Sequence, residues 1–399
     1  MQPLFVTAYT VVTACGMGKK PLLDALLKQR SSLKSARMIK LDFLTYTGEV
    51  ESALPEVRDD LKSYDARNAR LALAALDCED GMFRKAVIAA AARYGAERVG
   101  VIIGTSTSGI YETELAYQAD LSTGMLPEAF DFKHQHAWVA TAEFLKKELE
   151  LRGPCYAIST ACSSSGKAIA AGQRMIETGI CDAVVVGGVD SMCHLTLHGF
   201  HSLELTSEQP CTPLDQDRNG ISLGEGAGLL LLEREATVDT SASLVGYGES
   251  SDAYHMTAPH PEGAGSAQAM RSALAMAGLQ AGAIDYVNLH ATGTRLNDQS
   301  EMRAMASLFE STTPCSGSKG MTGHTLGAAG AVEAVITLLA LEHAFAPGTC
   351  GIRHVDSEFN NRVLTEPVQL PDIRYVMNNN FGFGGNNVSL IFAKEATDG

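Results

Sequence analysis

The chain has 399 residues, of which 45% are hydrophobic and 19% charged, and its formal net charge is −15. That length suits two domain-sized cores or one large core made of two similar halves, and the low charge with abundant Ala, Gly and Val suits a heavily buried α/β protein. The acidic balance argues against nucleic acid or an anionic membrane surface as a partner, and no uninterrupted apolar run reaches the roughly 18 residues that cross a bilayer.

Residues 1–5 show no basic region followed by an apolar run, so no secretory signal is expected. Nine cysteines, an odd number without a Cys-x-x-Cys pair, are simplest as reduced thiols, and a zinc site built from them is not expected. A cytoplasmic location follows as the expectation.

In chain order, residues 67–90 form an Ala/Leu-rich helical pattern. Short apolar runs at 98–104, 155–159, 182–187 and 228–233 predict strands, and so do 286–290, 374–377 and 387–392. Most are apolar on both faces, as in strands covered on both sides. Helical spacing over 164–178 and 327–343 alternates with them, which predicts a largely parallel α/β sheet. The polar stretch 234–243 marks a boundary between halves 1–238 and 239–399. Each half holds a strand that leads into a chemically loaded turn, at Cys162 and at His290.

Four segments carry chemistry. In Tyr156-Ala-Ile-Ser-Thr-Ala-Cys162-Ser-Ser-Ser-Gly-Lys167 a strand ends, a turn presents Cys162, and a helix begins. A thiol there faces the positive end of a helix, which favours thiolate, and free N–H groups are available to a developing oxyanion. Taken alone, a cysteine is more often a buried structural one. In His290-Ala-Thr-Gly-Thr-Arg-Leu-Asn-Asp298-Gln-Ser-Glu301 a strand delivers an imidazole at its carboxyl end, and Thr292 and Thr294 offer hydroxyls to a polar arm. A loop histidine satisfied by backbone fits that segment equally well. The run Ser318-Lys319-Gly-Met-Thr-Gly-His324-Thr-Leu-Gly-Ala-Ala-Gly330, followed by Glu333, sets two charges in apolar sequence that need partners if buried. A solvated lysine beside an ordinary helix is the alternative there. The loop Asn378-Asn-Asn-Phe381-Gly-Phe383-Gly-Gly-Asn386 combines backbone freedom with an aromatic ring, and by itself reads as a hairpin.

Together, in order and spacing, these segments resemble the β-ketoacyl-(acyl carrier protein) synthases of the thiolase-like superfamily. Segments 215–228 and 251–259 resemble the same family, which covers nearly the whole chain. The resemblance implies a five-layered αβαβα fold of two duplicated halves, with the nucleophilic cysteine in the first and two histidines and a lysine in the second. It implies a decarboxylative Claisen condensation, in which malonyl-carrier elongates an acyl group held on Cys162. His290 and His324 would stabilise the enolate. Lys319 and Glu333, with Glu301 and Asp298 in support, would hold that network. The N–H groups of Cys162 and Phe383 would form the oxyanion hole. Thr292, Thr294, Phe383, Thr107 and Phe200 would line the path of the acyl chain and pantetheine arm, and Lys62, Arg67 and Arg70 would dock the acidic carrier protein.

By the same resemblance no metal or cofactor is required, since phosphopantetheine arrives on the carrier. The chain would form a homodimer or a heterodimer with a ketosynthase-like subunit. Ala291, Asn386 and Thr107 depart from the family pattern and bear on acyl preference; aryl polyene or type II polyketide assembly stands beside fatty acid synthesis. Two rivals share the fold. A thiolase would carry a second catalytic cysteine where this chain has Phe383, and a chain-length-factor partner subunit would lack the nucleophile that this chain retains.

Overall fold

A computed structural model describes residues 3–236 and 242–395. The expected boundary at 238/239 lies outside the described residues. The frame of the first half is β1 (Leu4–Thr13), β2 (Val99–Gly104), β3 (Cys155–Ile158), β4 (Ala183–Asp190) and β5 (Gly226–Glu233). The second half has β6 (Ala242–Ser251), β7 (Tyr286–Leu289), β8 (Pro314–Gly317), β9 (Tyr375–Gly382) and β10 (Asn386–Lys394).

Among the described residues these join one twelve-stranded sheet in the order β8-β7-β9-β10-β6-β1-β5-β4-β2-β3. Arg362–Val363 lies beside β8, and Gly16–Met17 pairs with β1. Outward from the β1–β6 junction, each half places its first, fifth, fourth, second and third strand in the same sequence. The fold is therefore an α/β duplication, as expected. The equivalence of the two loaded turns differs from the expectation, however. Cys162 follows the third strand of its half, whereas His290 follows the second; the topological counterpart of Cys162 is the Lys319–His324 turn after β8.

The sheet is mixed rather than largely parallel. β2 pairs parallel with β3 and β4, and β7 with β8 and β9. All pairings around the junction, β4–β5, β5–β1, β1–β6, β6–β10 and β10–β9, are antiparallel. β9 returns into β10 through only three residues, too few for the crossover that parallel pairing needs.

The helices α1 (Arg67–Tyr94), α2 (Ala140–Glu148), α3 (Ser164–Glu177), α4 (Ala264–Ala277), α5 (Arg295–Ala306) and α6 (Ala329–Glu342) complete five layers. α1 and α2 cover the outer face of the first half; α4, with α5 beside it, covers that of the second. α3 and α6 pack on each other between the two sheet halves. That central contact is close because Gly330 has no side chain. A Cβ there would lie 2.6 Å from the backbone nitrogen of Gly166. α1 is not the single helix that its sequence predicts. Cys78 takes an extended conformation, and Glu79, Asp80 and Gly81 turn left-handed, which breaks the helix where Asp and Gly tolerate that turn. No described helix is long and apolar enough to cross a membrane.

Candidate active site

β3 ends at Ile158 and α3 begins at Ser164, so Cys162 stands on the connecting elbow. Ala161 adopts φ +53°, a left-handed conformation that costs a non-glycine residue energy and needs local support. Two serines provide it: Ser164 Oγ accepts the Thr160 N–H at 2.9 Å, and Ser163 Oγ donates to the Thr160 carbonyl at 2.8 Å. The loop after β9 closes over this elbow. A Cβ on Gly382 would sit 3.0 Å from the Thr160 carbonyl oxygen and 3.2 Å from the Cys162 nitrogen, so only glycine lets the two backbones meet without strain. This approach brings the N–H groups of Phe383 and Cys162 to the sulfur.

Cys162 is 7% exposed. Burial pushes its thiol up to about 11, against the pull of the Lys319 charge and the two N–H groups. Desolvation thus outweighs the favourable local field of the helix terminus, opposite to the ionised thiol expected from the sequence.

The imidazoles of His290 and His324 meet edge to face, with ring centroids 5.2 Å apart. One ring nitrogen of each lies with the Cys162 sulfur in a cluster whose members are all within 4.8 Å. Lys319, 1% exposed, directs its ammonium to the His290 carbonyl, to Glu333 Oε1 and, at 3.2 Å, to His290 Nδ1. An ammonium only donates, so His290 Nδ1 accepts and Nε2 carries the hydrogen. His324 reaches the same tautomer by a different route, because its Nδ1 accepts the Leu326 N–H at 3.1 Å. Its Nε2–H is buried with no partner among the described residues, a donor held ready for an acceptor. Burial and the nearby Lys319 charge hold both histidines well below their ordinary pKa.

The supporting carboxyls occupy distinct places. Glu333 is pushed up to about 7 by burial, opposed by Lys319, and accepts from Asn380 Nδ2 at 2.6 Å. Glu301 receives the N–H groups of His290 and Ala291, both at 2.8 Å, which fixes the backbone that delivers His290; burial raises its carboxyl to about 8. Asp298, also raised by burial, takes the Leu214 N–H at 3.0 Å and pairs with the buried Arg218 at 3.3 Å.

A cavity of about 460 Å³ leads to Cys162, His290 and His324 and is lined further out by Phe200, Phe383, Thr292 and Thr294. That size falls in the range of small-molecule sites. The Phe200 and Phe383 rings lie 5.4 Å apart, and the two threonine hydroxyls are hydrogen-bonded at 2.9 Å. Thr107 is not on the wall of this cavity. It is fully buried and bonds through N–H and hydroxyl to Asp190, whose carboxylate also gathers Thr105, Ser106 and Gly327.

The three cations expected to dock the carrier each pair with a carboxylate. Arg67 grips the fully buried Glu225 through Nε at 2.8 Å and through Nη2. Lys62 (2.9 Å) and Arg70 (2.6 Å) share Asp65.

Sequence reasoning missed Asn380, Asp190 and Glu225. The first had a visible signal, three consecutive asparagines in an otherwise strand-like run. Asn378 Nδ2 donates to the Gly330 carbonyl at 3.0 Å, and Asn380 holds Glu333.

Cysteine with two histidines is also a zinc donor set. The arrangement does not fit an ion: the ring nitrogens turned toward the cavity carry hydrogens, and a buried ammonium lies beside one ring.

Comparison with known proteins agrees with this geometry. The family model for the β-ketoacyl synthase N-terminal domain matches residues 1–237, and that for the C-terminal domain matches residues 241–353. The chain belongs to the β-ketoacyl synthase family. The mitochondrial 3-oxoacyl-[acyl-carrier-protein] synthase of Arabidopsis thaliana is 40% identical to this synthase over 263 residues, 61% of the chain and 57% of that protein. A Staphylococcus aureus 3-oxoacyl-[acyl-carrier-protein] synthase 2 is 32% identical over 75% of the chain and 76% of its own length. Among solved structures, the ketosynthase ApeO in complex with its chain length factor ApeC from Xenorhabdus doucetiae matches with a TM-score of 0.92 and 39% identity, over 99% of this chain and 98% of the other. The ishigamide ketosynthase/chain length factor matches with a TM-score of 0.89 and 27% identity, over 99% of this chain and all of that one.

Proposed function

We propose that this protein is a β-ketoacyl-(acyl carrier protein) synthase that elongates an acyl chain held on Cys162. The carrying observation is the pair of neutral imidazoles, each with an Nε2–H toward the cavity, beside one buried thiol. In the first half-reaction the Cys162 sulfur attacks the acyl thioester, and its proton passes to the arm sulfur as that carbon–sulfur bond breaks. The oxyanion meets the N–H groups of Cys162 and Phe383. Malonyl-carrier then enters and loses carbon dioxide. The enolate oxygen accepts from His290 and His324, and the carbanion carbon attacks the acyl-cysteine carbonyl. Cys162 leaves as thiolate and regains a proton. Charge-neutral donors suit a buried pocket, where a permanent imidazolium would be costly.

Lys319, Glu333, Glu301 and Asp298 position these groups. The chemistry needs no resident metal, and phosphopantetheine belongs to the carrier. A ketosynthase-like second subunit is part of this reading. Two of the matched structures are ketosynthase–chain length factor complexes, and β3, at one end of the sheet, has all four residues only partly buried. An aryl polyene or related polyketide pathway is favoured by the 39% match to ApeO with its chain length factor. A cytoplasmic location is supported by nine free thiols.

The purified protein, offered malonyl-carrier and a panel of acyl-carriers, is expected to give β-ketoacyl-carrier by mass spectrometry. Cys162→Ala is expected to abolish the acyl-enzyme and His324→Ala to stop release of carbon dioxide. An acyl-enzyme that persists in Cys162→Ala overturns the assignment.

A further inference from the structure

Lys62, Arg67 and Arg70 do not line the cavity that leads to Cys162, and the wall of that cavity supplies a cation of its own. The cationic side chains lining it, among the described residues, are Arg218 and Arg295. Arg218 is fully buried and committed to Asp356 at 2.7 Å and Asp298 at 3.3 Å. Arg295 is exposed, follows Thr294 as the first residue of α5, and its guanidinium makes no hydrogen bond or ion pair among the described residues. Asp356 feels its charge but is already bonded to Arg218.

The inner end of the cavity is uncharged, with a thiol and two neutral imidazoles, whereas the rest of its wall adds the acids Glu204, Asp217 and Asp252. An anion entering a molecule of net charge −15 meets repulsion at such a rim unless a cation offsets it locally.

We propose that Arg295 receives the phosphate of the phosphopantetheine arm while the thioester end passes inward to Cys162. A planar guanidinium with parallel N–H donors matches a phosphate, and its stem on the first helical turn of α5 fixes where that fork is presented. The threonine hydroxyls of residues 292 and 294 lie next along the wall, where the neutral part of the arm follows its charged end. Arg295 is on this account a positioning residue that reads the anionic end of the substrate. The inference rests on the synthase reading above.

The test compares Cys162 acylation by hexanoyl-4′-phosphopantetheine and by hexanoyl-pantetheine, which differ only in the phosphate, followed by intact-mass spectrometry. In the unaltered protein the phosphorylated thioester is expected to react about tenfold more efficiently, the scale of one charge-assisted contact. Arg295→Ala is expected to bring that ratio near one, and Arg295→Lys to restore part of it. A ratio unchanged in Arg295→Ala, or an equal loss on both thioesters, overturns the proposal. Acylation by neither thioester in the unaltered protein removes the synthase reading instead, and this inference with it.

Discussion

Cys162 combines a reactive role with a neutral resting state, and this has a measurable consequence. Burial dominates its environment and raises the thiol to about 11, so the thiolate fraction grows roughly tenfold per pH unit from neutrality upward. Alkylation of Cys162 by iodoacetamide, followed at the labelled peptide, is expected to climb across pH 7 to 10; a plateau below pH 8 would show a thiol already ionised. The Lys319–Glu333 pair carries a second prediction. Removal of one partner leaves a charge uncompensated in the core, which costs about 3–5 kcal/mol. Lys319→Met is therefore expected to destabilise the protein by that amount in urea unfolding, and Lys319→Met with Glu333→Gln by clearly less. The residues that bear chemistry were legible in sequence because their motifs are dense. The ionisation of Cys162 was not, since desolvation depends on Phe383 and its loop, far away in the chain. The ion pair that holds Arg67 was hidden for a similar reason: Glu225, its buried partner, lies 158 positions on.

At the scale of elements, the active site depends on how closely two helices approach. α3 follows the turn that carries the thiol, α6 follows His324, and Gly330 allows their contact. Gly330→Ala would place a methyl 2.6 Å from the Gly166 nitrogen and 2.9 Å from Asn380 Oδ1. Overpacking of this kind costs about 1–3 kcal/mol. The variant is expected to lower the thermal midpoint and, by shifting α6, to slow condensation more than Cys162 alkylation. Strands such as β2, β4 and β5 stood out because they are apolar on both faces. β6 did not: it contains Gly246 and Gly248, which read as turn punctuation, and its later residues are partly exposed. Parallel pairing was inferred from that same double-sided burial, but the junction strands are buried between helices while running antiparallel.

For the molecule as a whole, the duplication was legible only as a suspicion, because its evidence is strand order, and strand order is not written in local spacing. The site lies between the repeats: the thiol comes from one, both imidazoles, Lys319 and Phe383 from the other. Fragments ending at Ala236 and beginning at Ala242, produced separately, are therefore each expected to lack condensation activity. Mixing should restore it wherever the halves reassociate, as read by product formation together with size-exclusion chromatography. Activity in the first fragment alone would contradict a site shared by both repeats.

The loop that covers Cys162 also sets a schedule during synthesis. Phe383 is added 221 positions after the nucleophile. At about 5–20 residues per second, the ribosome leaves the sulfur without its cover for on the order of 10–45 s. In that interval the thiol is open to oxidants and stray electrophiles, and a chain stalled before β10 would hold the attacking atom with nothing to shelter or direct it.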